Sequence, residues 1–178
     1  KLEPQRKKLS KIEREQYLIG HIPYRLQLLR FCHSVCEQNM IPHPDHDSEL
    51  RIGWAAVIGD SNDLFINPIV ESGLLYCRAL LEFLGVAQDR KTGQLKEVAE
   101  PKDSGDIFIK DFGLPPLTKA QTVNGFSYAS PVEIDSALRS VIETANKSVA
   151  HLTQAPKLAA TFPSLSLACR VVVELINR

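Results

Sequence analysis

The sequence carries no excess of charge in either direction, with 21 lysines and arginines against 21 aspartates and glutamates in 178 residues. This balance excludes a global basic field that would draw in nucleic acid, so any RNA or DNA contact has to come from a local patch. Long apolar runs are also missing. The longest, Leu74 to Val86, is broken by Arg78 and Glu82 and falls short of the roughly 20 residues a membrane span needs, which excludes a transmembrane helix there. Lys1 to Lys11 is charged and lacks the apolar stretch of a secretory signal, so a cytoplasmic protein is the expectation. Cysteine is scarce: Cys32, Cys36, Cys77 and Cys169 are the only four. They lie mostly in apolar, helix-like surroundings, where reduced cysteine behaves as a small hydrophobe, and no disulfide framework is expected. Gly93 and Gly105 have no phosphate-loop spacing, and no serine, histidine and acid set shows a nucleophile elbow. These absences argue against a P-loop nucleoside triphosphatase and an α/β hydrolase, and no cofactor is implied.

What is present is ordinary globular composition, 44% hydrophobic and 24% charged, over a length that suits one domain spanning residues 1–178. Ser10 with Glu13 and Ser130 with Glu133 have capping-box spacing, and Pro131 holds the favoured first helical position. Helices are expected at about 11–19, ending at Gly20, and from Pro23 to about Asn39. A third is expected from the Asn67-Pro68 cap to about Leu84, a fourth from Pro131 to about Thr153, and a last at about 164–177. Ile52 to Ile58, holding the single tryptophan Trp54, could be a short helix or a strand, and helix is the favoured reading. Residues 86–129 are rich in Lys, Asp, Gly and Pro and read as a long loop, with a short strand expected only over Asp106 to Phe112. The expectation is an all-α, up-and-down bundle of four main helices with a loop insertion at about 86–129.

The helix opened by Asn67-Pro68 is apolar almost all round, apart from Glu71, Arg78 and Glu82, which fall within a sector of roughly 40° on a helical wheel. Such groups must pair with one another or line a cleft. Arg78 and Glu82, four residues apart, suit a surface pair. On the helix from Pro131, Thr144, Lys147, Ser148 and His151 share a flank beside the core face. Histidine can act as acid or base near neutral pH, and a nearby cation can hold a phosphate. Arg25 falls among apolar positions of its own helix, where a carboxylate of the stripe is the expected partner.

Four stretches carry a family resemblance: Glu71-Ser72, Arg78 to Leu84, Asp106 to Phe112, and Asn146 to Thr153. Together they resemble an uncharacterised group of small bacterial helical proteins similar to the HEPN superfamily. The resemblance implies a helical bundle, commonly homodimeric, and a metal-independent ribonuclease or a degenerate RNA- or nucleotide-binding relative in a defence or stress system. It places His151 in the histidine position of the superfamily's catalytic signature and Asn146 or Lys147 in the polar position, whereas the arginine usual before that histidine is absent. On this reading His151, Lys147, Glu71 and Arg78 are the candidate catalytic groups, and Glu82, Arg25 and Asn146 are candidate substrate contacts.

Two alternatives stand beside it. One is a non-catalytic interaction module in which exposed helix edges and the 86–129 segment meet a partner protein or a second copy. The other is a small zinc-binding protein using Cys32, Cys36, His43 and His46, although Cys32 and Cys36 also continue the apolar face of Leu28 and Leu29 and no metal is the expectation.

Overall fold

Ser10 and Glu13 form the anticipated capping box: the Glu13 carboxylate accepts from Ser10 N–H at 2.7 Å, and the Ser10 hydroxyl accepts from Glu13 N–H at 3.2 Å. Helix α1 (Lys11–Gln16) starts there in a computed structural model, which describes residues 9–39, 48–52, 55–59, 63–101, 105–149 and 160–178. Gly20 does not stop the helix. A π-helical turn over Tyr17–His21, in which Ile22 N–H reaches back five residues to Tyr17 O, leads straight into α2 (Ile22–Asn39). Pro23 has no N–H to offer the preceding turn, and the widened π geometry just before it accommodates that gap.

The described residues of the run from Ile52 to Ile58 are strand rather than helix. Strands β1 (Ser48–Ile52) and β2 (Ala55–Gly59) pair antiparallel, with Ser48 opposite Gly59 and Ile52 opposite Ala55. β-Branched Ile52, Val57 and Ile58 favour extended backbone. Helix α3 (Asp63–Leu84) begins one turn before the anticipated cap, so Asn67-Pro68 lies inside it. Pro68 is solvent-exposed and close to the helix start, and its fixed φ suits helical backbone.

Residues 86–129 contribute core and are not simply a loop. Strands β3 (Val86–Gln88) and β4 (Leu95–Glu97) form a hairpin, with Val86 opposite Glu97. The Asp89 carboxylate organises its turn by accepting from Lys91 N–H at 2.9 Å and Thr92 N–H at 3.0 Å. These two backbone bonds hold the Asp89 carboxyl below its ordinary pKa. The strand expected over Asp106 to Phe112 is instead a 3-10 turn at Ile109–Phe112, with adjacent Phe108 and Ile109 both buried, which alternation in a strand would not allow. A short α4 (Lys119–Val123) follows and buries Thr122 and Val123. Gly85, at φ +91°, turns the chain out of α3; a Cβ there would sit 2.5 Å from Pro116 Cβ, and Leu117 N–H bonds back to Leu84 O at 2.8 Å.

Helix α5 (Pro131–Thr144) opens with the expected box and proline and passes into a π-helical turn at Ala145–Val149. Helix α6 (Phe162–Asn177) closes the chain. The fold is dominated by α2, α3, α5 and α6, which pack as a helical bundle with α6 against the other three. The centre of the bundle is α6, whose Leu165, Ala168, Cys169, Val171, Val172 and Leu175 are all buried. Among the described residues no helix is long and apolar enough to cross a membrane.

Candidate functional site

The polar stripe of α3 faces water. Glu71 and Glu82 are exposed and Arg78 is partly so. Arg78 Nε donates to Glu82 Oε1 at 3.1 Å, the surface pair that their spacing suggested. Such a pair contributes about 0.3–0.5 kcal/mol and leaves little positive field for a phosphate. On the π-helical turn after α5, exposed Lys147 donates to Glu143 Oε1 at 2.5 Å. Asn146 is partly buried in the same turn.

Arg25 does not meet the stripe; among the described residues no ion pair joins it to Glu71 or Glu82. Its guanidinium donates to His21 O at 3.0 Å and lies 5.5 Å from the centre of the Tyr76 ring. Backbone carbonyl and aromatic face replace the anticipated carboxylate because the neighbouring α3 presents Tyr76 there, and a ring face attracts a cation without the desolvation of a second charge. His151, together with His43 and His46, lies outside the described residues.

Three groupings were not anticipated. In the first, buried Ser166 of α6 donates its hydroxyl to Glu37 Oε1 at 2.5 Å and lies 2.7 Å from His33 Nδ1, while His33 and Glu37 sit one helical turn apart on α2. The order differs from that of a hydrolase triad, in which histidine stands between the hydroxyl and the acid. Here the serine stands between the other two, so the arrangement ties α2 to α6. The spacing of His33 and Glu37 was visible in the sequence, but no local signal gave them Ser166.

The second grouping fastens the C-terminal helix. Arg170 stacks 3.6 Å over Tyr128, Arg178 stacks 4.1 Å over Phe126, and Tyr128 Oη donates to Glu174 at 3.0 Å. Burial and the Glu174 contact raise the Tyr128 phenol to about 12, whereas Arg178 leads the contacts that hold the Glu174 carboxyl below its ordinary value. These arginines are engaged by their own chain.

The third brings all four cysteines into one place. Cys32 and Cys36 come from α2, Cys77 from α3 and Cys169 from α6, and each is fully buried at 0% exposure. Cys77 and Cys169 sulfurs are 3.7 Å apart. Cys32 neighbours both Cys169 and Cys36, so the four thiols cluster where three helices meet. The bond to Cys169, with burial, pushes the Cys32 thiol up, and the bond to Cys32, with burial, does the same for Cys36. At Cys169 the bond from Cys32 pulls down, but the Cys77 contact and burial outweigh it. Cys32 and Cys36 therefore face the core with Cys77 and Cys169, not a surface loop. Among the described residues no group of three or more histidine, cysteine, aspartate or glutamate side chains is arranged to hold a metal ion.

No protein-family model, curated protein or solved structure matches this chain.

Proposed function

We propose that this protein is a non-catalytic helical interaction module and that its partner is a second copy of itself. The observation that carries the reading is an uncharged seam along α1 and α2. Ile12 (68% exposed), Ile19 (79%), Tyr24 (56%) and Phe31 (52%) all stand in water. Ile12 and Ile19 are seven residues apart, as are Tyr24 and Phe31. Ile19 and Tyr24 are five apart, but the π-helical turn at Tyr17–His21 takes up one residue, so their effective spacing is four. Spacings of seven, four and seven follow the core positions of a coiled coil. Gln16, Gln27 and Ser34 fill the intervening seam positions and are exposed and neutral.

The seam is self-complementary when two copies run antiparallel. Ile12 then meets the second copy's Phe31, Ile19 its Tyr24, and Gln16 its Gln27, whose amides can hydrogen-bond to each other. On the flank, Glu15 of one copy comes opposite Arg30 of the other; both are exposed. Opposite charges on the flanks favour the antiparallel register over the parallel one, which would set like residues together. Leu75 and Leu18, 38% and 52% exposed, add apolar surface outside this seam.

The RNA-directed reading has less support. Two of its candidate cations, Arg78 and Lys147, are neutralised by carboxylates one turn away. Arg170 and Arg178 are held on aromatic rings of their own chain.

Sedimentation of the full chain over a concentration series tests the proposal. Wild type is expected to dimerise and Ile19→Glu to stay monomeric, with dimer affinity at least about 100-fold weaker, because burying an unpaired carboxylate against Tyr24 costs several kcal/mol. Far-UV circular dichroism should be unchanged, since Ile19 is exposed in the monomer. A wild type that remains monomeric at high micromolar concentration, or an Ile19→Glu dimer of equal affinity, would sink the reading. RNA cleavage by wild type under chelator, lost in His151→Ala, would restore the ribonuclease in its place.

A further inference from the structure

Ser166 stands between His33 and Glu37, and its surroundings fix which way each proton points. Its hydroxyl carries a single hydrogen and the residue is only 2% exposed, so it cannot turn to water. That hydrogen goes to Glu37 Oε1 at 2.5 Å, because a carboxylate only accepts. The 2.7 Å contact with His33 is then a bond in which Nδ1–H donates to the serine oxygen. A neutral ring that donates through Nδ1 carries its lone pair on Nε2. With Nδ1 tied to a buried serine, the 32% exposure of the His33 side chain falls to the opposite edge of the ring, where Nε2 lies. We propose that His33 Nε2 is a modification site that accepts a phosphoryl group from a donor of the phosphoramidate class, forming a phosphohistidine.

The relay selects among chemistries. A serine hydrolase needs its hydroxyl to attack, but Ser166 Oγ is enclosed and engaged on both sides. The order Glu37, Ser166, His33 moves the accessible nucleophile from oxygen to nitrogen. A metal ion needs several converging ligands, and among the described residues no group of three or more histidine, cysteine, aspartate or glutamate side chains is arranged to hold one. Phosphoryl transfer needs one accessible lone pair and a way to balance the charge its ring acquires. Glu37 supplies that balance through Ser166. Its Oε1 lies 3.9 Å from Nδ1, on the side of the ring away from the incoming phosphate.

The step balances without a proton leaving the site. The Nε2 lone pair forms a new N–P bond, the P–N bond of phosphoramidate breaks, and its electron pair leaves with ammonia, which already holds its hydrogens. Nothing is oxidised or reduced. The ring keeps its Nδ1 hydrogen and gains a positive charge, which the bond to Ser166 and the Glu37 carboxylate beyond it stabilise. A charge-assisted hydrogen bond of this kind amounts to about tenfold or more in rate.

His21 provides an internal control. It is exposed, and its ring lies 4.7 Å from that of Tyr17. Among the described residues no carboxylate or hydroxyl is bonded to either of its ring nitrogens. Exposure alone therefore favours His21 as the acceptor, whereas the relay favours His33.

The test incubates the full chain with phosphoramidate and follows each histidine by mass spectrometry under conditions that preserve acid-labile phosphoryl groups. His33 should be modified at least about tenfold faster than His21, and heteronuclear NMR should place the phosphorus on Nε2. His33→Gln should remove that signal. Ser166→Ala frees Nδ1, so modification of His33 should slow by about tenfold and the Nδ1 isomer should appear beside the Nε2 isomer. Glu37→Gln keeps an acceptor for the hydroxyl but removes the charge, so it should slow transfer while leaving the product on Nε2. A merely structural tie between α2 and α6 would not move the isomer ratio. Circular dichroism checks the fold of each variant, and if Ser166→Ala fails to fold, Glu37→Gln at its solvent-facing position decides. Modification of His33 no faster than that of His21, an Nδ1 product in wild type, or a wild-type rate in either folded relay variant would overturn the proposal.

Discussion

The contact between Gly73 and Cys32 gives a sharp stability prediction. Glycine inside a long helix is costly in isolation: replacing it by alanine should stabilise α3 by about 0.8–1 kcal/mol through helix propensity. Here the packing reverses the sign. An alanine Cβ at position 73 would lie 2.3 Å from Cys32 Sγ and 3.1 Å from Cys32 Cβ, with Leu165 Cδ1 behind at 3.8 Å. The first distance lies far inside van der Waals contact. Cys32 is fully buried, so its sulfur cannot swing into solvent, and α2 and α3 must separate or Cys32 must leave its rotamer. Overpacking of this kind costs typically about 1–3 kcal/mol, and a larger clash costs more. After subtracting the propensity gain, typical overpacking leaves a net cost of up to about 2 kcal/mol, and a contact as short as this one places Gly73→Ala at the upper end of that range or beyond it. The measurement is urea denaturation followed by circular dichroism, with the midpoint falling and the slope unchanged. The decisive step is a double-mutant cycle. In a Cys32→Ala background the nearest clash is gone, so Gly73→Ala should become neutral or mildly stabilising, and the coupling between the sites should reach at least about 1 kcal/mol. Additive effects within about 0.5 kcal/mol would refute the claim that this glycine exists to admit the Cys32 sulfur.

The other stability predictions concern polar groups. Ser166→Ala removes the hydroxyl that joins His33 and Glu37 across α2 and α6. Both partners reach solvent, so the loss should be only about 1 kcal/mol in the same urea assay, and a cost above about 3 kcal/mol would mean that the grouping is more isolated from water than described. The Ser130 hydroxyl and amide in the α5 capping box hold the Glu133 carboxyl below its ordinary pKa. With the folded value depressed, its stabilising contribution is present above the unfolded glutamate value of about 4.3 and is lost as pH falls through the folded value. Glu133→Gln should therefore lose less stability on acidification than wild type, and an unchanged slope between neutral pH and about pH 3 would contradict the assignment.

The features written locally in the chain were legible. Ser10 with Glu13 and Ser130 with Glu133 opened helices as their spacing implied, because a capping box needs only four consecutive residues. The pair of Arg78 and Glu82 was equally local. Reading failed where tertiary context decides. Asn67-Pro68 has the chemistry of a helix start, yet α3 begins at Asp63 and runs through it. Phe108 and Ile109 look like part of an alternating strand, but a 3-10 turn buries both. Gly20 looked like a terminator, and the π-helical turn around it carries the chain on. The thiol cluster depends on three helices meeting, with 92 residues separating Cys77 from Cys169, and no local pattern announces such a meeting. Cys32 and Cys36 were recognised as a possible ligand pair, but nothing local in the sequence pointed to Cys77 and Cys169 as their neighbours in the core.

The two faces of α2 have different partners. Phe31 on the outer face belongs to the self-association seam, and its neighbour Cys32 on the inner face belongs to the thiol cluster. The helix is continuous with α1 through the π-helical turn, and its core side is fixed by Leu26, Leu29, Cys32 and Cys36, all buried. Packing of that inner face sets the rotation of the helix and hence which residues it presents outward. A shift of α2 that relieves Gly73→Ala must also move Tyr24 and Phe31, because a close-packed helix carries both faces together. The core sulfurs thus bear on the geometry of the outer seam without touching it.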